Sequence, residues 1–176
     1  MNTKKAIELA KNIKMLVLDV DGVLTDGGLY YDLQGQVMKR FNVQDGLGIK
    51  LAQQAGLKIA VISGLKSKAV EKRLDELGIF DYFTGYTQKI PKLLELVEKN
   101  GLTLSEVAYL GDDWVDAAPM LKVGLPMAVV NAVPEIKEIA LWISSRPGGQ
   151  GAVREAVSFL LKAQNKLEKL WQEWVE

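Results

Sequence analysis

The chain of 176 residues contains no cysteine and no histidine, and its 22 Lys+Arg balance 22 Asp+Glu to leave no net charge. Each absence removes a class of chemistry. Without cysteine there is no disulfide framework, thiolate metal site or thiol nucleophile; without histidine there is no Ser-His-Asp triad and no HExxH zinc site. With no surplus of Lys and Arg and no basic run, nothing is available to neutralise a phosphate backbone, so no nucleic-acid partner is expected. No window approaches the roughly 18 apolar residues of a membrane span. Met1 to Lys14 is polar and Lys-rich and lacks the apolar stretch of a signal peptide, so no membrane partner and a cytoplasmic location are expected. The remainder is 48% hydrophobic and 25% charged, the composition of a folded globular protein, and the length fits a single domain over residues 1–176. Its chemistry must rest on carboxylates, hydroxyls, amines, backbone groups or a borrowed cofactor.

Short apolar runs alternate with amphipathic stretches along the chain. The runs are Met15 to Val20, Leu57 to Ile62, Val107 to Leu110, Met127 to Val130 and Leu141 to Ile143, with Tyr82 to Thr84 weaker. They are short and rich in Val, Ile and Leu, as strands buried on both faces must be. Between them, Leu47 to Ala55, Lys66 to Leu77, Lys89 to Asn100 and Trp114 to Val123 carry helical spacing, and Gly56, Gly78, Gly101 and Gly124 stand where C-caps belong. This pattern predicts an α/β fold, a doubly wound Rossmann-like parallel sheet. Two features depart from the alternation. Gly28 to Tyr31 and Gln36 to Phe41, separated by Asp32-Leu33-Gln34-Gly35, read as a protruding β-hairpin, which is marginal alone and needs something to dock on. Ala152 to Trp174 reads as one amphipathic helix of the core or an interface.

In open α/β sheets the site lies at the carboxyl ends of the strands. The residues that follow the runs there are Asp19-Val20-Asp21-Gly22-Val23, Ser63-Gly64 and Gly111-Asp112-Asp113, and Lys89 opens the helix after the weak strand. Singly, an Asp or Ser at a strand end is as readily a helix cap or turn former, and Lys89 or Arg73 a solvated helix residue. Jointly, Asp19, Asp21, Asp112 and Asp113 would repel one another in a small crevice, and a divalent cation relieves that repulsion. An all-oxygen donor set selects Mg²⁺ over Zn²⁺. Asp19-Val20-Asp21-Gly22 is not an EF-hand loop, because the Gly falls too early and the twelfth position is Tyr30 rather than Glu. No GxxxxGK[ST] or GxGxxG pattern is present.

These four segments, with Asp116, stand in the order of the four motifs of the haloacid dehalogenase superfamily, which the chain resembles. The resemblance implies phosphoryl transfer through an aspartyl-phosphate: Asp19 as nucleophile and Asp21 as acid and base. It implies Mg²⁺ on the Asp19 side chain, the Asp21 carbonyl and Asp112, and Ser63, Gly64 and Lys89 on the phosphoryl group, with Asp113 and Asp116 in support. Only 44 positions separate Asp19 from Ser63 and 26 separate Ser63 from Lys89, so neither interval holds a cap domain.

Asp19 to Leu29, Phe41 to Gly46, Val70 to Arg73 and Gly148 to Glu155 are similar to a narrower group, the phosphatases of 3-deoxy-D-manno-octulosonate (KDO) 8-phosphate and of nonulosonate 9-phosphates. That likeness implies a phosphorylated sugar acid as substrate and a homotetramer in which hairpins form a central barrel. It further implies a Gly-rich segment that reaches a neighbour's site, and Asn42, Val43, Gln44, Asp45, Gly46, Lys50 and Arg73 as sugar contacts. Leu65 stands where the octulosonate enzymes usually carry Arg, which leaves a nonulosonate 9-phosphate as the rival substrate. A non-catalytic sugar-phosphate-binding or assembly module is the reading of another class, and the intact Asp19 and Asp21 speak against it.

Overall fold

The computed structural model describes residues 3–176; Met1 and Asn2, the start of the Lys-rich N-terminal segment and of the expected domain, lie outside the described residues. Helix α1 (Thr3–Ala10) precedes strand β1 (Met15–Leu18), and the ribbon strands β2 (Tyr30–Tyr31) and β3 (Val37–Met38) follow. Then come α2 (Val43–Gln54), β4 (Lys58–Ser63), α3 (Lys68–Leu77), β5 (Tyr82–Thr84) and α4 (Ile90–Lys99). The second half runs β6 (Val107–Gly111), α5 (Trp114–Met120), β7 (Leu125–Ala128), α6 (Pro134–Ile139), β8 (Trp142–Ile143), α7 (Ala152–Ala163) and α8 (Leu167–Val175).

Six strands form one sheet in the order β5-β4-β1-β6-β7-β8, and every pairing is parallel. Each residue of β1, β6 and β7 is buried, as an apolar strand covered on both faces requires. Helices α1 and α2 both touch α7, and α4, α5 and α6 form a second contiguous set, so helices flank the sheet as the alternating pattern predicts. The chain winds outward from β1 through β4 to β5, then returns to β6 on the other side of β1. That reversal opens a crevice at the carboxyl ends of β1 and β6, where Leu18 pairs with Leu110 and the Asp19 amide donates to the Leu110 carbonyl at 3.1 Å.

β4 passes directly into α3 and α3 into β5, with no inserted domain. The one insertion is the hairpin, shorter than its sequence span: Tyr30 pairs with Met38 and Tyr31 with Val37, and a Thr25–Phe41 bridge closes its base. Three expectations change. Helices α1 and α6 were not foreseen, α1 because its segment reads as merely polar and α6 because six residues carry too little periodicity. Ala152 to Trp174 is two helices, broken where Asn165 adopts φ 55°. Gln164 beside it donates to the Ala10 and Ile13 carbonyls, and Lys166 to that of Ala55, so the side chains anchor the turn on α1 and α2. Gly124 is not a left-handed cap; a Cβ there would lie 2.1 Å from the Ser105 carbonyl oxygen, so close backbone approach is what demands glycine.

Candidate active site

The loop after β1 is built by Thr25, which is fully buried. Its hydroxyl donates to the Val20 carbonyl and accepts from the amides of Gly22 (3.4 Å) and Gly27 (3.2 Å). The turn needs φ 90° at Gly22, and a Cβ there would come within 2.0 Å of Asp112 Oδ2. Gly148 crosses so near that its own Cβ would meet the Gly22 carbonyl oxygen at 1.7 Å, while Asn131 joins the two segments by accepting from the Gly148 amide at 2.8 Å. The Gly-rich segment thus lies against the Asp19–Asp26 loop of its own chain.

Lys89 precedes the first turn of α4 and is 1% exposed. Its ammonium donates to Asp19 Oδ1 at 2.5 Å and to Asp116 Oδ1 at 2.7 Å. Asp116 also accepts from the Tyr109 hydroxyl at 2.8 Å and, through Oδ2, from the amides of Asp112 (3.0 Å) and Asp113 (3.4 Å). Asp113 is exposed and caps α5, accepting from the Trp114 amide at 2.7 Å. Ser63 is buried at the end of β4, its hydroxyl donating to the Leu65 carbonyl at 3.2 Å, with Gly64 beside it and Leu65 half exposed.

Carboxylate oxygens of Asp19, Asp112 and Asp116 lie within 4.8 Å of one another, an excess of negative charge over the single Lys89. Burial raises the Asp19 carboxyl to about 7, Asp116 adding to the rise and Lys89 opposing it. Burial likewise raises Asp112 to about 8, with Asp19, Asp116 and Asp113 adding. For Lys89, burial works against the charge, but Asp19 and Asp116 outweigh it and the ammonium is held more firmly than usual. Asp112 Oδ1 is buried without a hydrogen-bond partner among the described residues. An orphaned anionic oxygen among crowded carboxylates fits a hard divalent cation, which would replace the missing donor. Asp116, with donors on both oxygens, has the least freedom to ligate.

The structure divides the expected sugar contacts. Asn42 caps α2, accepting from the Gln44 amide at 2.7 Å, and donates to the Gly149 carbonyl at 3.3 Å; Val43 and Gln44 are exposed beside it. The Arg73 guanidinium lies over Gly46, 2.4 Å from where a Cβ would stand. Two residues correct the expectation. Asp45 is 1% exposed and turned inward, accepting from the Arg154 amide at 2.8 Å and the Gly151 amide at 3.2 Å at the start of α7. Lys50 reaches toward Gly78 at the far end of α3, remote from the carboxyl ends of the strands, because it lies two turns down α2. The sequence reading missed Lys39, whose side chain is 1% exposed and whose ammonium pairs with Asp21 Oδ1. It also missed Thr25, Tyr109 and Asn131, which hold the loop and Asp116; a lone Thr, Tyr, Asn or Lys bears no signature of its partner.

An aspartate at the end of the central strand, held by a buried lysine at the switch point of a parallel sheet, defines the class: a haloacid dehalogenase-like hydrolase. The profile of that description matches residues 78–155. The 3-deoxy-D-manno-octulosonate 8-phosphate phosphatase of Escherichia coli is 44% identical over 163 residues, which are 93% of this chain and 87% of that one. The chain belongs to this phosphatase family. Two solved structures extend the likeness. The Moraxella catarrhalis phosphatase in complex with magnesium, phosphate and KDO superposes with TM-score 0.95 at 37% identity, covering 97% of this chain and 98% of that one. The cobalt-bound Haemophilus influenzae phosphatase gives TM-score 0.91 at 38% identity over 96% and 99% of the chains. Relatives of this chain thus bind divalent metals.

Proposed function

We propose that the protein hydrolyses 3-deoxy-D-manno-octulosonate 8-phosphate to KDO and phosphate, with Asp19 as nucleophile. The observation that carries the reading is the buried Lys89 locked onto Asp19 Oδ1 beside the unpartnered Asp112 Oδ1. Relatives that bear this activity in their names, 41–44% identical, support the choice of substrate.

In the first step an Asp19 oxygen bonds to phosphorus, the bond from phosphorus to the sugar oxygen breaks, and Asp21 gives its proton to that oxygen. In the second, a water oxygen bonds to phosphorus, Asp21 takes the water proton, and the acyl phosphate bond breaks to free phosphate and Asp19. Lys89 and Ser63, with the backbone at Gly64, bind the phosphoryl oxygens, and Lys89 remains charged to offset their negative charge. Asp116 keeps Lys89 aimed, and Asp113 fixes the start of α5. We take the resident cation to be Mg²⁺, held by Asp19, Asp112 and the Asp21 carbonyl; when bound it shields the nucleophile from the anionic phosphate. Arg73 with the Asn42–Gly46 turn, Asp45 excepted, faces the sugar acid. The protein works in the cytoplasm as one domain and as a homotetramer, which gives the exposed hairpin something to dock on.

A second reading, hydrolysis of a nonulosonate 9-phosphate, is favoured by Leu65 alone. It is apolar and 50% exposed where an arginine would meet a carboxylate, and neighbouring Lys66 lays its aliphatic chain over Gly85 instead. Phosphate release from the two sugar-acid phosphates, with and without Mg²⁺, tests both readings. We expect Mg²⁺-dependent turnover that prefers the octulosonate and falls by more than ~10³ in Asp19→Asn. Equal phosphate release by Asp19→Asn and wild type would refute the nucleophile assignment.

A further inference from the structure

Lys39 stands one residue beyond β3 on a ribbon that is otherwise largely exposed, yet its side chain is 1% exposed and its ammonium is committed to one oxygen of Asp21. Burying an ammonium is costly unless a carboxylate meets it, so the contact is a specific one. Asp21 keeps 25% of its side chain accessible, so the pair sits at the mouth of the site. The base of the hairpin is tied down beside it by the Thr25–Phe41 bridge and by Arg40, which donates to the Gly149 carbonyl at 3.4 Å.

We propose that Lys39 is a positioning residue for Asp21. The inference rests on the reading of Asp21 as acid and base. The grip on Oδ1 stops the carboxyl from rotating and leaves Oδ2 as the oxygen free to give and take the proton. In the first step the Oδ2 proton passes to the sugar oxygen as its bond to phosphorus breaks. In the second, a water proton passes to Oδ2 as the hydroxyl adds to phosphorus. Lys39 itself touches no reacting atom.

The two steps separate with p-nitrophenyl phosphate, whose leaving group needs no proton. Lys39→Met should retain the rapid burst of about one nitrophenolate per site while steady-state turnover falls ~10–100-fold, because only the second step then depends on Asp21. With the sugar-acid phosphate the same variant should lose the burst of sugar release, with kcat lower by a similar factor and KM within about twofold. Lys39→Arg should recover most of the loss, which also keeps the test valid if Lys39→Met loosens the hairpin. A burst rate that falls in step with turnover, or a change confined to KM, would overturn the inference; the latter would make Lys39 a substrate contact. Asp21→Asn separates the two readings. If it too keeps the nitrophenolate burst while Lys39→Met behaves as wild type, only the role of Lys39 fails; if Asp21→Asn shows no such signature, the acid and base reading fails with it.

Discussion

Four donors converge on Asp116: the Lys89 ammonium, the Tyr109 hydroxyl and the amides of Asp112 and Asp113. A carboxylate offers about four lone-pair directions, so this group is saturated although it lies among the crowded acids. Asp112, one turn earlier, has the reverse problem of a buried oxygen with nothing to accept from. The difference makes Asp112 the side chain that a cation rewards. With the folded carboxyls of Asp19 and Asp112 raised to about 7 and about 8 from an ordinary 3.8, these two groups bind more protons in the folded protein without metal than in the unfolded chain. Their contribution to its stability therefore falls as pH rises from about 4 to about 8. A cation binds the ionised carboxylates and reverses that loss, so the rise in melting temperature on adding Mg²⁺ should be larger at pH 8 than at pH 5.5. A shift independent of pH would contradict this account. Leu65 carries the other residue-scale expectation: Leu65→Arg should raise kcat/KM for the octulosonate ~10-fold, about 1.4 kcal/mol, if the added guanidinium meets the substrate carboxylate. Kinetics on both sugar-acid phosphates would measure it.

At the scale of elements, α2 and α7 are joined by a carboxylate rather than by apolar packing alone. Asp45 accepts amides at the start of α7, where the exposed donors of a helix end need partners, and burial raises its own pKa despite them. Asp45→Ala should lower stability by about 1–2 kcal/mol in urea unfolding and leave KM for the sugar-acid phosphate unchanged. Were Asp45 a sugar contact, KM would rise and stability would hold. Pairing of this kind was beyond the sequence reading because residue 45 and residue 154 are far apart in the chain. Local pattern did reveal the sheet strands to within two or three residues, since burial on both faces writes itself as a Val, Ile and Leu run. It revealed the hairpin through its polar turn, but it placed the edges of α7 and α8 poorly. The apolar stripe continues across residues 164–166, while the break depends on carbonyls supplied by α1 and α2.

The whole molecule leaves its hairpin uncovered, with Leu29, Tyr30, Tyr31 and Met38 exposed and Leu33 fully so. A two-stranded ribbon with that surface is costly in water and is the natural place for other copies of the chain to meet. Light scattering at micromolar concentration should give four times the 19.4 kDa chain mass, and Leu33→Asp with Tyr31→Asp should reduce it. A wild-type mass of one chain would exclude the tetramer. Because Lys39 extends from the same ribbon to Asp21, the assembly surface and the site share one element.

By itself the sequence determined the alternation of strands and helices and the chemistry-bearing residues at the strand ends. It also determined the exclusion of thiol and imidazole chemistry, because these follow from periodicity over a few residues and from composition. Only the tertiary structure decided which of those residues work together. Lys89 meets Asp19 across 70 positions, Lys39 meets Asp21 across 18, and Gly148 closes on Gly22 from the other end of the chain. It also turned Asp45 and Lys50 away from the site. Such contacts depend on how helices pack over a twisted sheet, and packing is set by the sum of many distant side chains rather than by any local run.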